Sequence, residues 1–387
     1  MTSKERVHAA LEGKPVDRCP VTASYNQLYF HDHIGELTGR PWWEVYRWLL
    51  MPVREHVDLY RQMLAQTPFE LLEPHAGPWS DPSNAEFGER DGVPFRLDKR
   101  TGKRTTIDRR ASGFAFDYHA NETRYVFNRD DIAQRLPIPD WKKKVAAGGN
   151  AYLDAVVREF GQDAFILSGG VVGTLYSCGH HMGQTNLFAM LLEEPNLVDA
   201  LCERITEVNL AQIRRFASAG GDAIFIDDAT ATSDMISPAH YERFSLPYMK
   251  ALVDEIHRLR HKAIVIYFGG VMDRLELIAA TGADGFSYEA SMKGFVNDTA
   301  GIARRIGDRM TLFSNIDPVA VLQNGTDSML EAEIERQVKA GRRARGFIVS
   351  TASPITPGTP LTRVQHFLEL GRRTTDMGAN PGQRNGP

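Results

Sequence analysis

The sequence predicts an α/β protein built as a single (β/α)8 barrel, and three observations lead to that prediction. Short apolar runs alternate with longer helical patterns, which is typical of parallel βα units. The 387 residues contain eight such units, the number that closes a barrel at a length the fold reaches with insertions. A doubly wound open sheet is the alternative, but no GxGxxG turn follows the first predicted strand.

The eight predicted strands are short, and each is followed by a loop and then by a helical pattern. They cover residues 19–23, 69–72, 165–168, 223–226, 263–268, 285–288, 311–313 and 347–350. One long insertion, residues 76–162, separates the second strand from the third. Its centre, residues 93–107, alternates around a Gly-containing turn, which predicts a β-hairpin. We expect the insertion to lie over the C-terminal mouth of the barrel as a lid or partner surface, with a purely structural flap as the alternative.

The barrel is expected to span residues 1–373 as one domain. It begins with a capped, charged helical pattern in which Thr2 or Ser3 precedes Lys4, Glu5 and Arg6. Residues 374–387 are rich in Gly, Asn and Pro and are predicted to be disordered.

Charge and composition exclude several classes of protein. A formal net charge of −4 gives no basic field for nucleic acid, and the short runs at 142–144 and 342–343 are interpreted as solvated faces. The three cysteines form no CxxC pair, so neither a disulfide framework nor a zinc ribbon is expected. No secretory core or membrane-spanning apolar run is evident. We therefore expect a cytoplasmic protein with no membrane partner.

Candidate site residues follow from the barrel, because side chains from several strands converge only at the C-terminal strand ends. These positions hold Tyr25, Glu73, His75, His180, His181, Asp227, Asp228, Tyr267, Tyr288, Glu289, Ser314, Asn315, Thr351 and Ser353.

The acidic pair and the histidines have both functional and structural interpretations. Asp227 and Asp228 follow a very apolar run, so at least one carboxylate must leave the strand at the mouth, as a reactive group or as a loop anchor. Adjacent residues of a helix face different directions, so His180 and His181 are a poor metal pair. One of them, or His75, can face the cavity as an acid, a base or a hydrogen-bond donor.

Several landmarks together resemble the uroporphyrinogen decarboxylase superfamily, which includes the corrinoid-linked methylcobamide:coenzyme M methyltransferases. The landmarks, in order, are residues 2–7, 13–18, 236–238, 246–248, 264–270 and 314–318. The resemblance runs from about Thr2 to about Arg373 and implies the same barrel. It also favours Asp228 as the match to the acidic residue that ends the fourth strand in these families.

The resemblance has two branches, and the sequence departs from both. Coenzyme M methyltransferases hold zinc with a His-x-Cys after the fifth strand and a Cys near the eighth, where this sequence has Tyr267, Gly269 and Ser353. No metal is therefore expected there, although Pro357 to Pro360 resemble the methyltransferase branch. The decarboxylases have arginines in the first loop and an aspartate after the second strand, and neither is evident in residues 24–30 or 73–79.

The resemblance implies transfer or removal of a methyl group on a small substrate, with no tightly bound cofactor. A corrinoid would come from a separate protein, because the chain has no Asp-x-His-x-x-Gly motif. The expected catalytic residues are Asp228, His181, Tyr267 and His75. The expected substrate contacts are Tyr25, Trp79, His180, Asp227, Phe268, Tyr288, Glu289, Asn315 and Ser353, whose rings favour an aromatic or neutral ligand.

Two other functions stay open at this point. One is a metal-independent decarboxylase or other carbon–carbon lyase, in which Asp228 and the tyrosines stabilise developing charge. The other is a non-catalytic binding protein that kept the barrel and lost the site. The sequence also leaves the substrate, the partner protein and the oligomeric state, including a homodimer, open.

Overall fold

The computed structural model describes residues 1–78, 84–108, 128–292 and 294–374. Its strands, numbered along the chain, are β1 (Leu71–Leu72), β2 (Ala85–Arg90), β3 (Val93–Asp98), β4 (Arg104–Thr106), β5 (Phe165–Val172), β6 (Ala223–Asp227), β7 (Lys262–Tyr267), β8 (Gly285–Tyr288), β9 (Thr311–Phe313) and β10 (Phe347–Ile348). Seven of them form one parallel sheet in the order β1-β5-β6-β7-β8-β9-β10. The predicted parallel α/β sheet is thus confirmed.

The two edges of this sheet meet at one short segment, Pro20 to Thr22. The Thr22 N–H donates to the Val349 carbonyl and the Val349 N–H donates to the Pro20 carbonyl, while the Glu70 N–H donates to the Val21 carbonyl. The sheet therefore curls into a TIM-barrel-like shape. The predicted first strand, 19–23, is reduced to a single bridge between Val21 and Val349. Pro20 has no N–H to donate, which limits the ladder that this segment can form.

The long segment between β1 and β5 contains a small antiparallel sheet of β2, β3 and β4. The predicted hairpin is confirmed as β3 and β4, with Gly102 in the left-handed region at φ 68° in the turn. The position of this segment over the mouth stays a prediction.

Helices cover the outside of the curled sheet. They are α1 (Ser3–Leu11), α2 (Asn26–Asp32), α3 (Ile34–Thr38), α4 (Glu44–Trp48), α5 (Val53–Gln66), α6 (Arg129–Arg135), α7 (Trp141–Ala146), α8 (Ala151–Phe160), α9 (Thr174–Met182), α10 (Gln184–Glu193), α11 (Pro195–Ala217), α12 (Pro238–Phe244), α13 (Leu246–Arg258), α14 (Leu275–Ala279), α15 (Thr299–Ile306), α16 (Asp327–Gly341) and α17 (Leu361–Arg373), with a π-helical turn at Pro318–Gln323. In the part of the chain described, none of these is long and apolar enough to cross a bilayer.

Two apolar clusters divide the core. The larger one lies between the sheet and the helices, and the smaller one fills the inside of the sheet. Helix α1 contributes Val7 and Leu11 to the inner cluster, and its Ala10 carbonyl accepts a hydrogen bond from Thr311 at the start of β9. Because α1 closes the end where the strands begin, the opposite end is left for a site.

Helix α1 itself is fixed by local sequence. The Thr2 hydroxyl accepts from the Glu5 N–H and the Glu5 carboxylate accepts from the Thr2 N–H, which is a complete capping box. The predicted capped start of the chain is therefore confirmed, with Thr2 as the capping residue.

Candidate active site

Strand alternation decides which side chains reach the inside of the curled sheet. In β6, Ala223 and Phe225 pack with the inner cluster, whereas Ile224 and Ile226 pack with the outer one. Asp227 continues the inner series. In β7, Ile264 and Ile266 face inward and Tyr267 faces outward, and Phe268, directly after the strand, faces inward again.

The inner strand ends bring together Tyr25, Glu73 and Asp227, which we call the interior cluster. The Tyr25 hydroxyl donates to Asp227 Oδ2 at 2.6 Å, across 202 positions of sequence. Tyr25 has φ 51° and ψ 47°, a left-handed conformation that costs a residue with a side chain about 1–2 kcal/mol. This strained geometry aims the phenol at the β6 end, and strain of this kind is concentrated at functional sites.

Asp227 is poised to exchange a proton near neutral pH. Burial raises the pKa of its carboxyl to about 7, with the Tyr25 hydrogen bond opposing the rise and the Asp228 charge adding to it. Its Oδ1 is buried and has no hydrogen-bond partner within the described ranges. A buried carboxyl oxygen without a partner is available to a ligand.

Glu73 completes the cluster from the end of β1. Burial raises the pKa of its carboxyl to about 8, and a hydrogen bond from the Tyr25 backbone N–H partly opposes that rise. Its Oε2 is also buried without a partner among the described residues. Tyr25 thus contacts one carboxyl through its backbone and the other through its hydroxyl. Glu73 was among the sequence candidates but not among the expected catalytic residues.

A second group of predicted residues meets at the ends of β8 and β9. The Ser353 hydroxyl donates to Glu289 Oε1 at 3.1 Å, and Asn315 Nδ2 donates to the Glu289 carbonyl at 3.2 Å. Burial raises the pKa of Glu289. Phe268, another expected substrate contact, lies instead beside the interior cluster, where its ring centroid is 5.9 Å from that of Tyr25. Glu289, Asn315 and Ser353 therefore support one another.

Asp228 and Tyr267, two of the four expected catalytic residues, have side chains on the outer face of the sheet, towards the helices. Asp228 is fully buried, and its Oδ2 accepts from the Ser245 hydroxyl at 2.5 Å while Oδ1 accepts from the Tyr176 N–H at 3.3 Å. Burial raises its pKa to about 6. The Tyr267 and Tyr241 hydroxyls are 2.7 Å apart. We call Asp228, Tyr241, Ser245 and Tyr267 the outer cluster.

Tyr288, an expected substrate contact, also has its side chain on the outer face of the sheet. Its hydroxyl donates to Thr299 Oγ1 at 3.1 Å in the layer between β8 and α15. Like Tyr267, it is fully buried. These contacts tie helices to strands.

The predicted histidines lie in two places. His75 lies beside His31, with 2.6 Å between the two Nε2 atoms, and burial lowers its pKa to about 4. It is therefore neutral at pH 7. His180 and His181 are on α9, and partial burial lowers the pKa of each. Trp79 lies outside the described residues.

The residues at the family's zinc positions do not fit that metal. Gly269 has no side chain, and a Cβ there would lie 2.5 Å from both Asp234 Oδ1 and Thr232 Oγ1. Tyr267 points into the outer cluster, and Ser353 is bonded to Glu289. These three positions therefore do not form a zinc site, and a metal-free site stays a prediction.

Known proteins resemble the chain over most of its length. A sequence model of the family described as uroporphyrinogen decarboxylase (URO-D) matches residues 109–374. Uroporphyrinogen decarboxylase 2, chloroplastic, of Arabidopsis thaliana is 25% identical over 388 residues, covering 95% of this chain and 91% of that protein. The methylcobamide:CoM methyltransferase MtbA of Methanosarcina mazei is 26% identical over 215 residues, covering 56% of this chain and 60% of that protein.

One solved structure shows the same fold over its full length. A methyltransferase from Methanosarcina mazei has a TM-score of 0.69 and 17% identity, covering 96% of this chain and 99% of that chain.

Proposed function

The chain belongs to the uroporphyrinogen decarboxylase family, and we propose that it is an enzyme that moves a methyl group from a small substrate to a corrinoid on a separate protein. The observation that carries this proposal is the interior cluster, with two buried carboxyls of raised pKa joined by one tyrosine. Relatives of the chain include both a decarboxylase and a methylcobamide methyltransferase.

Demethylation of an oxygen or nitrogen needs a proton donor. When the methyl group departs, the heteroatom keeps the bonding electron pair and must be protonated to become a good leaving group. A carboxyl with a pKa of about 8 is largely protonated at pH 7, so Glu73 can donate that proton. Asp227, with a pKa of about 7, can hold or release a proton beside the Tyr25 hydroxyl that donates to it. The partner's corrinoid would supply the nucleophile that accepts the methyl group.

The direction of methyl transfer follows from which proton donors and metal ligands the site contains. Transfer to a thiol requires a thiolate, which the related methyltransferases generate with zinc, and the side chains at those positions do not fit the ion. Proton donation to a departing heteroatom requires only the carboxyls that are present. Removal of a methyl group from the substrate is therefore the better match than methylation of a thiol.

Decarboxylation is the second candidate, and a specific observation favours it. The decarboxylase relative aligns over 95% of this chain. Loss of carbon dioxide leaves a carbanion that takes a proton, and the protonated Glu73 in a buried setting could supply one.

An assay with two readouts separates the candidates. Purified protein is incubated with a panel of methoxylated and N-methylated aromatic acids, with free cob(I)alamin as the methyl acceptor. We expect methylcobalamin to form in proportion to demethylated product. Carbon dioxide without methylcobalamin would favour the decarboxylase, and neither product from a protein that binds the panel would favour the non-catalytic binding protein.

A further inference from the structure

A cavity of about 440 Å³ lies beside the interior cluster. Glu73, Leu167 and Phe225 line it and also line the inside of the curled sheet. Lys144 of α7 and Arg215 of α11, two helices outside the sheet, line it as well. The cavity thus reaches from the interior cluster to the helix layer, and its volume is in the range of small-molecule sites.

The chain builds this opening through a break in strand pairing. β1 and β5 pair only at Leu71 with Phe165 and at Leu72 with Ile166, and β5 then shifts register before Gly170. A Cβ at Gly170 would lie 2.1 Å from the Phe225 ring, and a Cβ at Gly169 would lie 2.7 Å from the Phe216 ring. A side chain at either position would overlap one of these rings. Glycine is therefore required at both positions for the backbone to lie against the two rings.

The cavity lining holds two cations without a carboxylate partner. The Arg215 side chain is 7% exposed; Nε donates to Gln212 Oε1 and Nη1 donates to the Gly149 carbonyl, both at 3.1 Å. The guanidinium also lies over the Phe216 ring, with 4.3 Å from Cζ to the ring centroid. Among residues 1–78, 84–108, 128–292 and 294–374, Nη2 donates no hydrogen bond, and neither Arg215 nor Lys144 forms an ion pair. A buried guanidinium without a counter-charge is unfavourable unless an anion joins it.

The pKa values of the two side chains are lowered by their surroundings and by each other. Burial lowers the pKa of Arg215. Burial also lowers the pKa of Lys144, and the charge of Arg215 lowers it further. The two cations therefore lie close enough to repel each other, and an anion between them would relieve the repulsion.

We propose that this cavity binds a small carboxylate ligand. Arg215 and Lys144 hold the carboxylate in the helix layer, and the apolar body extends past Leu167 and Phe225 towards Glu73. A guanidinium with a free amino group suits a carboxylate, which accepts short charge-assisted hydrogen bonds. That this ligand is the methyl donor rests on the proposed function, whereas carboxylate binding does not.

Calorimetric titration with benzoate and benzamide tests the proposal, because the two probes have nearly the same shape and differ in charge. We expect the wild-type protein to bind benzoate at least about tenfold more tightly than benzamide, as one charge-assisted hydrogen bond provides. Arg215→Gln and Lys144→Gln should each weaken benzoate binding, by about tenfold or more for Arg215, and leave benzamide unchanged. Lys143→Gln is the matched control, since Lys143 is an exposed neighbour on α7 that does not line the cavity.

Three results would overturn the proposal: no measurable benzoate binding by the wild-type protein, equal affinities for the two probes, or unchanged benzoate affinity in both variants. If Arg215→Gln fails to fold, the benzoate affinity of Lys144→Gln tests the proposal alone. Lys144 is exposed, so its replacement removes no buried contact. A protein that binds benzoate in this charge-dependent way but yields no methylcobalamin would contradict the proposed function and leave the binding site intact.

Discussion

Asp227 and Asp228 are adjacent in the chain and lie in opposite layers of the molecule. Asp227 faces the inside of the curled sheet, where it bonds Tyr25 and keeps one oxygen without a described partner. Asp228 faces the helices, where both oxygens accept hydrogen bonds. Burial raises the pKa of both groups, but only Asp227 keeps a buried oxygen without a described partner, so only Asp227 is equipped for chemistry.

The same contrast holds for the two clusters as wholes. The interior cluster holds unpaired carboxyl oxygens on Glu73 and Asp227. In the outer cluster, both oxygens of the Asp228 carboxylate and the Tyr267 hydroxyl have hydrogen-bond partners. Satisfied buried networks hold elements in place, whereas unsatisfied buried groups call for a ligand or a reaction. We therefore expect interior substitutions to lower the rate and outer substitutions to lower the stability.

The largest expected effect comes from Asp227→Asn. The amide can still accept from Tyr25 but cannot carry a proton, so turnover should fall by about 10²–10⁴, the usual contribution of a general acid or base. The midpoint of thermal unfolding should not fall, because the substitution removes a buried carboxyl whose pKa is raised on folding. Steady-state kinetics with the substrate identified by the panel measures the rate. Asp228→Asn is the control, and an equal loss of turnover in a folded Asp228 variant would break the contrast between the clusters.

Glu73→Gln should give the next largest loss of turnover, about 10²-fold, because the amide cannot replace a protonated carboxyl as a donor. The pH profile of the wild-type rate identifies the group. Since the pKa of Glu73 is about 8, the rate limb that depends on its protonated form should decline above that pH and disappear in the variant. A limb that persists in Glu73→Gln would assign it to another group.

The same substitution has a predicted effect on stability with a defined sign. Glu73 has an ordinary pKa of 4.5 and a folded value of about 8, so between these values the folded state binds more protons than the unfolded state. The free energy of unfolding therefore falls as pH rises through this window. Glu73→Gln should remove the share of that decline that Glu73 contributes, leaving the shares of Asp227 and Asp228, and should stabilise the protein at pH 8 by on the order of 1–3 kcal/mol. Chemical denaturation at pH 5 and pH 8 measures it.

Much of the fold could be predicted from sequence because strand burial leaves a local pattern. The seven later predicted strands correspond to the seven strands of the parallel sheet, and the hairpin lies where the alternation around Gly102 places it. The first predicted strand, 19–23, was predicted too long, because Pro20 lacks the N–H that a ladder of hydrogen bonds needs and only a single bridge forms. The run from Phe165 was predicted too short, because Gly169 and Gly170 interrupt the apolar pattern before the strand continues to Val172.

The site was less predictable, because it depends on contacts between distant positions. Alternation from Phe225 to Asp227 was a usable signal for the inward face, but the family match favoured Asp228. The Tyr25 hydrogen bond joins residues 202 positions apart, and no local pattern encodes it. Lys144 belongs to a run that was predicted to be a solvated face, and it is exposed, but its side chain also lines the cavity, which the run alone does not indicate. Arg215 carries no local signal that separates it from other helical arginines.

In the outer cluster, Asp228→Asn should destabilise the protein by about 1–3 kcal/mol, because a buried amide cannot accept from both Ser245 and the Tyr176 N–H as the carboxylate does. Its amide hydrogens would also need acceptors that the site does not provide. Denaturant unfolding measures the change. Ser245→Ala removes one of the same hydrogen bonds, so the two substitutions together should cost less than their sum.

The smallest expected effect is that of Tyr267→Phe, about 1 kcal/mol of unfolding free energy, which corresponds to one net buried hydrogen bond. Tyr241→Phe removes the other half of the same 2.7 Å contact. Either single change leaves a buried hydroxyl without its partner, whereas the double change removes both hydroxyls and leaves two packed rings. A double-mutant cycle should therefore give a coupling energy of about 0.5–1.5 kcal/mol, with turnover unchanged in all three proteins. A large rate loss in folded Tyr267→Phe would instead place the phenol in the reaction, and the division between the inner and outer faces of β7 would no longer separate chemistry from support.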